Sequence, residues 1–274
     1  MDVRMLWLLP LSMICQFIDS SMGMGYGVLM TSLLLAIGFE PSAVVPAVLL
    51  SDFVSGITAG FFHHSERNVD FSPRSIDTKV VVLLSSFAVV GAVVSALFLQ
   101  GLPSRLVSVW ISVMVIYMAF VILTTRNQPR SFRWWRLIVF TGIASVNKGI
   151  SGGGYGPLVM GGQMLSGVDT KKAVGITSMS EGIVCFAALA VYVLFTRSVD
   201  WMFAPWLLAG SVLAIPFAVK LVKTMKEEKL RHWVAVVLLV LSIFTFGKAL
   251  IETFPIRFVF SSLLNGQGGG VIVF

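Results

Sequence analysis

Two short glycine-rich stretches stand inside otherwise apolar chain, and they carry the residues best suited to chemistry. One is Asp19-Ser20-Ser21-Met22-Gly23-Met24-Gly25-Tyr26-Gly27; the other runs from Asn147 to Pro157 and holds five glycines, an amide and a lysine. Glycine lets backbone N–H groups come close to a ligand and permits positive φ. A helix restarting from such a stretch, at Val28 or Leu158, aims its positive dipole end at whatever lies before it. Two opposed stretches of this kind suit a small anion. Close helix packing also uses small residues, but a shift of 129 positions places Gly23 on Gly152, Gly25 on Gly154, Tyr26 on Tyr155 and Gly27 on Gly156. The pairing favours a binding site made by Gly23, Gly25, Tyr26, Gly27, Asn147, Lys148, Gly152, Gly153, Gly154, Tyr155 and Gly156.

Charged groups accompany both stretches. Lys148 falls in the second, and a lysine at the centre of a bilayer costs roughly 2.5–3.5 kcal/mol on insertion scales. Asp19 holds the equivalent place in the first. Lys148 therefore pairs with Asp19, contacts an anion, or extends its head group toward the interface. The same shift carries Ser51-Asp52 onto Ser180-Glu181. Each carboxyl lies about ten residues into an apolar span, where it serves either as a proton-coupling group or as a hydrogen-bonded structural carboxyl. Ser51, Ser180, Thr177, Asn147 and Gln163 offer hydroxyl or amide ligands, and Tyr26 and Tyr155 either cap the stretches or pack. His63, His64 and His232 are expected at membrane edges in solvated loops. Cys15 and Cys185 lie in apolar runs, where a small buried side chain is expected. No cluster has metal-ligand spacing, so neither metal nor cofactor is expected.

The elements that position these groups are set by composition. Hydrophobic residues make up 57% of the 274 and charged residues 12%, against about 25% charged in soluble domains. The net charge of +7 sits in loops between apolar runs, as in membrane proteins, and does not form a nucleic-acid surface. The N-terminal apolar run lacks a small-residue cleavage site before Asp19 and is expected to be retained. Apolar spans are expected near 43–62, 80–100, 105–125, 172–196, 200–220 and 232–252. Two broken segments, near 5–38 and 134–166, have flanks too short to cross a hydrocarbon core of ~20 helical residues alone.

If each broken segment crosses once, 11 basic residues fall on one side and 8 on the other, Lys148 left aside; if each enters and returns, the split becomes 14 to 5. The excess of Lys and Arg in cytoplasmic loops favours the second arrangement, with the loops at 63–79, 126–136, 171–172 and 220–231 cytoplasmic. Each copy then has three crossings, so the second is inverted relative to the first. The expected fold is an all-α integral membrane protein of two inverted repeats, each a re-entrant (broken) helical hairpin plus three transmembrane helices. Residues 1–125 form the first repeat, 126–254 the second, and 255–274 a C-terminal tail. Inverted repeats with broken helices are the plan of many secondary transporters.

The duplicated Gly-x-Gly-Tyr-Gly stretches, each followed by an apolar span in a chain of this length, resemble the sulfite exporter TauE/SafE family, also described as the toluene-sulfonate uptake permease superfamily. The resemblance covers roughly residues 5–252. It implies secondary transport of small sulfur-containing anions, such as sulfite or sulfoacetate and other organosulfonates, across a bacterial inner (plasma) membrane. By position it makes Gly23–Gly27 and Gly152–Gly156 the signature elements. The residues themselves fit a carrier in which the paired glycine amides hold a small oxyanion and Asp52 and Glu181 handle protons. The competing expectation is an intramembrane enzyme, for example a lipid-pyrophosphate phosphatase. Phosphoryl chemistry calls for an arginine or metal clamp, and neither glycine stretch holds an arginine.

Overall fold

Long runs of apolar residues without water must bond their own backbone, and the helix does this within one segment. The computed structural model describes residues 5–23, 25–37, 39, 41–98, 113, 116–117, 119–120, 123, 131–151, 155–195 and 201–253. Its helices, in chain order, are α1 Leu8–Met22, α2 Tyr26–Ile37, α3 Pro41–Ser65, α4 Ile76–Phe98, α5 Trp134–Ser151, α6 Tyr155–Leu165, α7 Thr170–Phe195, α8 Ala204–Thr224 and α9 Glu227–Thr253. The described residues between 113 and 123 are helical as well, and no strand occurs among the described residues. Stretches within α3, α7 and α8 are long and apolar enough to cross a membrane. Large apolar side chains such as Phe61, Leu194 and Phe217 point outward, as a lipid-facing surface requires.

The first expected break is present between Met22 and Tyr26, and the helices flanking both glycine-rich stretches run further into them than the sequence suggests. α1 continues through Asp19 to Met22, and α5 continues through Asn147 and Lys148 to Ser151. A glycine inside a helix costs about 1 kcal/mol, whereas an unpaired backbone group away from water costs several. Gly149 is therefore carried within the helix rather than ending it.

The outer ends of the two helices flanking each glycine-rich stretch lie together. Trp7, just before α1, stacks on Phe39, just after α2, at 6.3 Å between ring centres. The Arg133 N–H, just before α5, donates to the Ser166 carbonyl, just after α6, at 3.0 Å. The ends of the long helices gather into two groups. Trp7, Phe39 and Phe203 form one, with Phe39 and Phe203 edge to face at 4.8 Å. The other collects the end of α3, the starts of α4 and α7, and the α8–α9 turn. There Lys223 bridges Glu66 at 2.7 Å, Lys172 meets Asp77 at 3.6 Å, and the Thr170 N–H donates to Glu227 at 2.5 Å. The Lys223 ammonium beside Glu66 holds that exposed carboxyl below its usual range. α3 connects the two groups, and its 25 residues span roughly 37 Å at 1.5 Å per residue.

The helix pairings fall into matched sets. α1 lies on α8 as α4 lies on α5; α3 lies on α8 as α4 lies on α7; α3 and α7 pair with each other. Apolar lipid gives helices no hydrophobic reason to associate, so close contact through small residues holds such bundles. At the α3–α7 crossing, a methyl group on Gly56 would sit 2.8 Å from the Gly182 Cα and from the Ser178 carbonyl oxygen. Both contacts are backbone, so neither can rotate away. Gly56→Ala is expected to cost about 1–3 kcal/mol by overpacking, read as a drop of several degrees in the thermal unfolding midpoint in detergent.

Candidate functional site

The first break is built from its own sequence. Gly23 adopts φ 68° and its N–H donates to the Asp19 carbonyl at 2.6 Å, which closes α1. Gly25 adopts φ 89°. These left-handed angles are where glycine is favoured. The Asp19 carboxyl then reaches across the turn, and its Oδ1 accepts the Gly25 N–H at 2.6 Å. Asp19 thus neutralises the exposed N–H groups at the start of α2, as an N-terminal capping carboxylate does. It is 1% exposed. Gln16 supports it: Nε2 lies 3.4 Å from Asp19 Oδ2 and donates to Ser20 Oγ at 2.8 Å, while Oε1 accepts from Ser55 at 2.9 Å.

The two tyrosines brace the helices around the breaks. Tyr26 shares hydrogen bonds with Ser12 at 2.9 Å and Ser51 at 3.1 Å, and Ser51 reaches Ser211 on α8 at 3.0 Å. The Tyr155 hydroxyl donates to the Leu84 carbonyl at 3.0 Å and also bonds the Ser180 side chain. Tyr26–Ser51 and Tyr155–Ser180 are the same pair of residue types, 129 positions apart.

The carboxyls of α3 and α7 lie against the glycines that open α2 and α6. A methyl group on Gly27 would sit 2.9 Å from Asp52 Oδ2. One on Gly156 would sit 3.1 Å from Glu181 Oε1, 3.0 Å from the Gly25 nitrogen and 3.2 Å from the Gly23 oxygen. One on Gly23 would meet Met160 Sδ at 3.3 Å and Thr177 Cβ at 3.4 Å. The first break and the start of α6 therefore touch, backbone to backbone, with Asp52 beside Gly27 and Glu181 beside Gly156. Cys185 does more than fill space, since its thiol donates to Asp52 Oδ2 at 3.3 Å. Gln163 donates to Thr177 at 2.8 Å while its buried Oε1 has no hydrogen-bond partner.

Of the residues singled out from the sequence, Asp19, Gly23, Gly25, Tyr26, Gly27, Ser51, Asp52, Tyr155, Gly156, Ser180 and Glu181 come together at this junction. The side chains of Asn147 and Lys148, the glycines 152–154 and the tail 255–274 lie outside the described residues, so the expected Lys148 contacts do too. His63 overturns its expectation. It is 0% exposed, with Nε2 at 3.0 Å from the Ser20 carbonyl and Nδ1 at 3.1 Å from the Asn68 amide. Depth along α3 put it at an edge, but the following loop folds back beneath it. Ser12, Gln16 and Ser55 were not singled out either. Their signal was the spacing of Ser12, Gln16 and Ser20, which gives an apolar helix one polar stripe. Two open grooves of about 540 and 550 Å³, one beside Arg133 and Arg136 and one beside Thr78 and Lys79, touch none of the junction residues.

An all-helical chain with lipid-facing apolar spans, broken helices and buried carboxyls beside the breaks has the makings of a membrane transporter. The comparisons agree. A profile described as sulfite exporter TauE/SafE matches residues 8–245. A protein of Bacillus subtilis (strain 168), named "Probable membrane transporter protein YtnM", is 29% identical over 226 residues, covering 78% of this chain and 73% of its own. No solved structure matches. The chain belongs to the sulfite exporter TauE/SafE family and is a multi-pass membrane transporter, not an enzyme.

Proposed function

We propose that this protein is a secondary carrier of a small sulfur-containing oxyanion, sulfite or an organosulfonate, and that the anion binds together with a proton at the junction of the two breaks. The observation that carries the reading is the position of Gly156, against the Gly25 nitrogen and Gly23 oxygen on one side and Glu181 on the other. Backbone this irregular, this deep in an apolar protein, serves a cavity or a ligand. The family name supplies the substrate class.

The architecture behind this reading is two inverted repeats, residues 1–125 and 126–254, each opening with a re-entrant hairpin. Three observations support it. Each broken pair begins and ends at the same place, by the Trp7–Phe39 stack and the Arg133–Ser166 bond. Those places belong to different helix-end groups. The helix pairings also survive exchange of the halves. The group holding Lys79, Lys171, Lys172, Lys223 and Arg133 would face the cytoplasm of a bacterial inner membrane. Gly23 beside Met160, four residues beyond Gly156, suggests tips that overlap by about one helical turn.

Electrostatics make the proton part of the cargo. Asp19, Asp52 and Glu181 all stand within or beside the junction. Two unit charges 4 Å apart repel by about 4 kcal/mol at an effective dielectric constant of ~20. A bare anion cannot settle among charged carboxyls, whereas protonation of one or two removes the penalty and supplies O–H donors. The unpartnered Gln163 Oε1 likewise suits a protonated guest. At the first break Asp19 already occupies the amide that an anion would use, so its release of Gly25 is part of binding.

Counterflow in proteoliposomes tests the proposal, with sulfite, sulfoacetate, sulfate and lactate offered in turn, with and without a protonophore. Sulfite or sulfoacetate is expected to exchange well above protein-free vesicles. Failure of every anion to move, or exchange of lactate alone, overturns the reading.

A further inference from the structure

His63 is a buried polar group that the transport reading leaves unused. We propose that it is a positioning residue: it caps the broken end of α1 and latches the first break shut toward the basic helix-end group.

The need for a cap follows from the break. A helix that stops leaves the carbonyls of its last turn without intrahelical donors, and in lipid those groups must be satisfied by protein. The Asp19 carbonyl takes the Gly23 N–H. The Ser20 carbonyl takes His63 Nε2 at 3.0 Å. The ring's orientation is fixed from behind. The Asn68 amide nitrogen lies 3.1 Å from Nδ1, and an amide NH₂ only donates, so Nδ1 accepts and Nε2 carries the hydrogen given to Ser20. The same amide donates to the Val219 carbonyl on α8 at 3.2 Å.

Two backbone features allow this arrangement. Arg67 has φ 59°, a conformation unusual for a residue with a side chain. Its turn is closed by Arg67 N–H to His64 O at 3.0 Å and Asn68 N–H to His63 O at 2.9 Å, which brings Asn68 back under the ring. On α7, a methyl group on Gly175 would sit 3.0 Å from His63 Cβ and 2.9 Å from Val69 Cγ1. Glycine there leaves room for both. So α3, α7, α8 and the loop after α3 together hold one ring against the end of α1. The residue 129 positions on is Tyr192, so the device is not a copy shared by both halves.

The capping role stands on these contacts alone. Its part in gating rests on the proposed function: access from the basic side requires the end of α1 to leave α3, and this bond must then break.

The test uses the full chain carrying Cys15→Ala, Cys185→Ser and Ser21→Cys, with labelling by a membrane-impermeant maleimide in vesicles of both orientations. Ser21 is 1% exposed, so the parent is expected to label slowly. His63→Ala is expected to raise the rate from the basic side about tenfold, the population change given by losing one buried hydrogen bond. His63→Gln, whose amide can donate, is expected to stay nearer the parent. Labelling of His63→Ala no faster than the parent, or equally faster from both sides, overturns the proposal. Sulfite counterflow on the unsubstituted chain separates the two readings: faster one-sided labelling of His63→Ala, with no counterflow by the unsubstituted chain, would retain the cap and remove the carrier.

Discussion

Gly156→Ala is expected to lower sulfite counterflow by about one to two orders of magnitude while the protein still elutes from size exclusion as the parent does. The added methyl would meet the Gly25 nitrogen at 3.0 Å, the Glu181 carboxyl at 3.1 Å and the Gly23 oxygen at 3.2 Å. Two of these are backbone atoms of a break already held at φ 68° and 89°, with little freedom to yield. Overpacking of this kind costs about 1–3 kcal/mol, and each 1.4 kcal/mol is a tenfold change in an equilibrium. The cost falls on the state in which the breaks touch, so it appears in flux before it appears in folding. Gly142→Ala is the matched control. Nothing lies within 4 Å of a methyl there, and an alanine in a helix gains about 0.5–1 kcal/mol over glycine. It is expected to leave flux unchanged and raise the unfolding midpoint. Parental flux from Gly156→Ala would remove the junction from the transport path.

How far the site was legible depended on whether its signal was local. Glycines and carboxyls inside apolar runs are costly out of place, so the two glycine-rich stretches, Asp52 and Glu181 stand out, and a shift of 129 positions matches them within the sequence itself. The Tyr–Ser pairs now recur at that same shift. The width of the breaks was overread, because composition counts Gly149 as a breaker while the surrounding lipid rewards keeping its helix intact. Asp19 was legible as a charge but not as a cap, since its partner is a backbone N–H beyond a reversal of the chain. His63 was missed for a similar reason. Its place is made by Asn68 and Gly175, with Val219 holding Asn68 in turn, three residues from different elements, and no window of sequence contains them.

Flux should rise as pH falls, and Glu181→Gln is expected to flatten that dependence most. Beside the junction, a charged Glu181 repels an incoming anion; a protonated one does not and can donate. If one proton must be taken up before the anion binds, flux at limiting substrate changes by up to about tenfold per pH unit, because a one-unit change is 1.36 kcal/mol of proton free energy. The glutamine keeps the shape and stays neutral, so the variant is expected to hold its low-pH rate across the range. Asp52→Asn is expected to act in the same direction but less, because Asp52 faces Gly27 and the Cys185 thiol while Glu181 faces the contact between the breaks itself. Initial rates of sulfite counterflow across a series of pH values decide the matter. Parental pH profiles in both variants would make these carboxyls structural struts. The proton would then have to enter through Asp19, whose hold on the Gly25 N–H is the remaining route by which acid could open the first break.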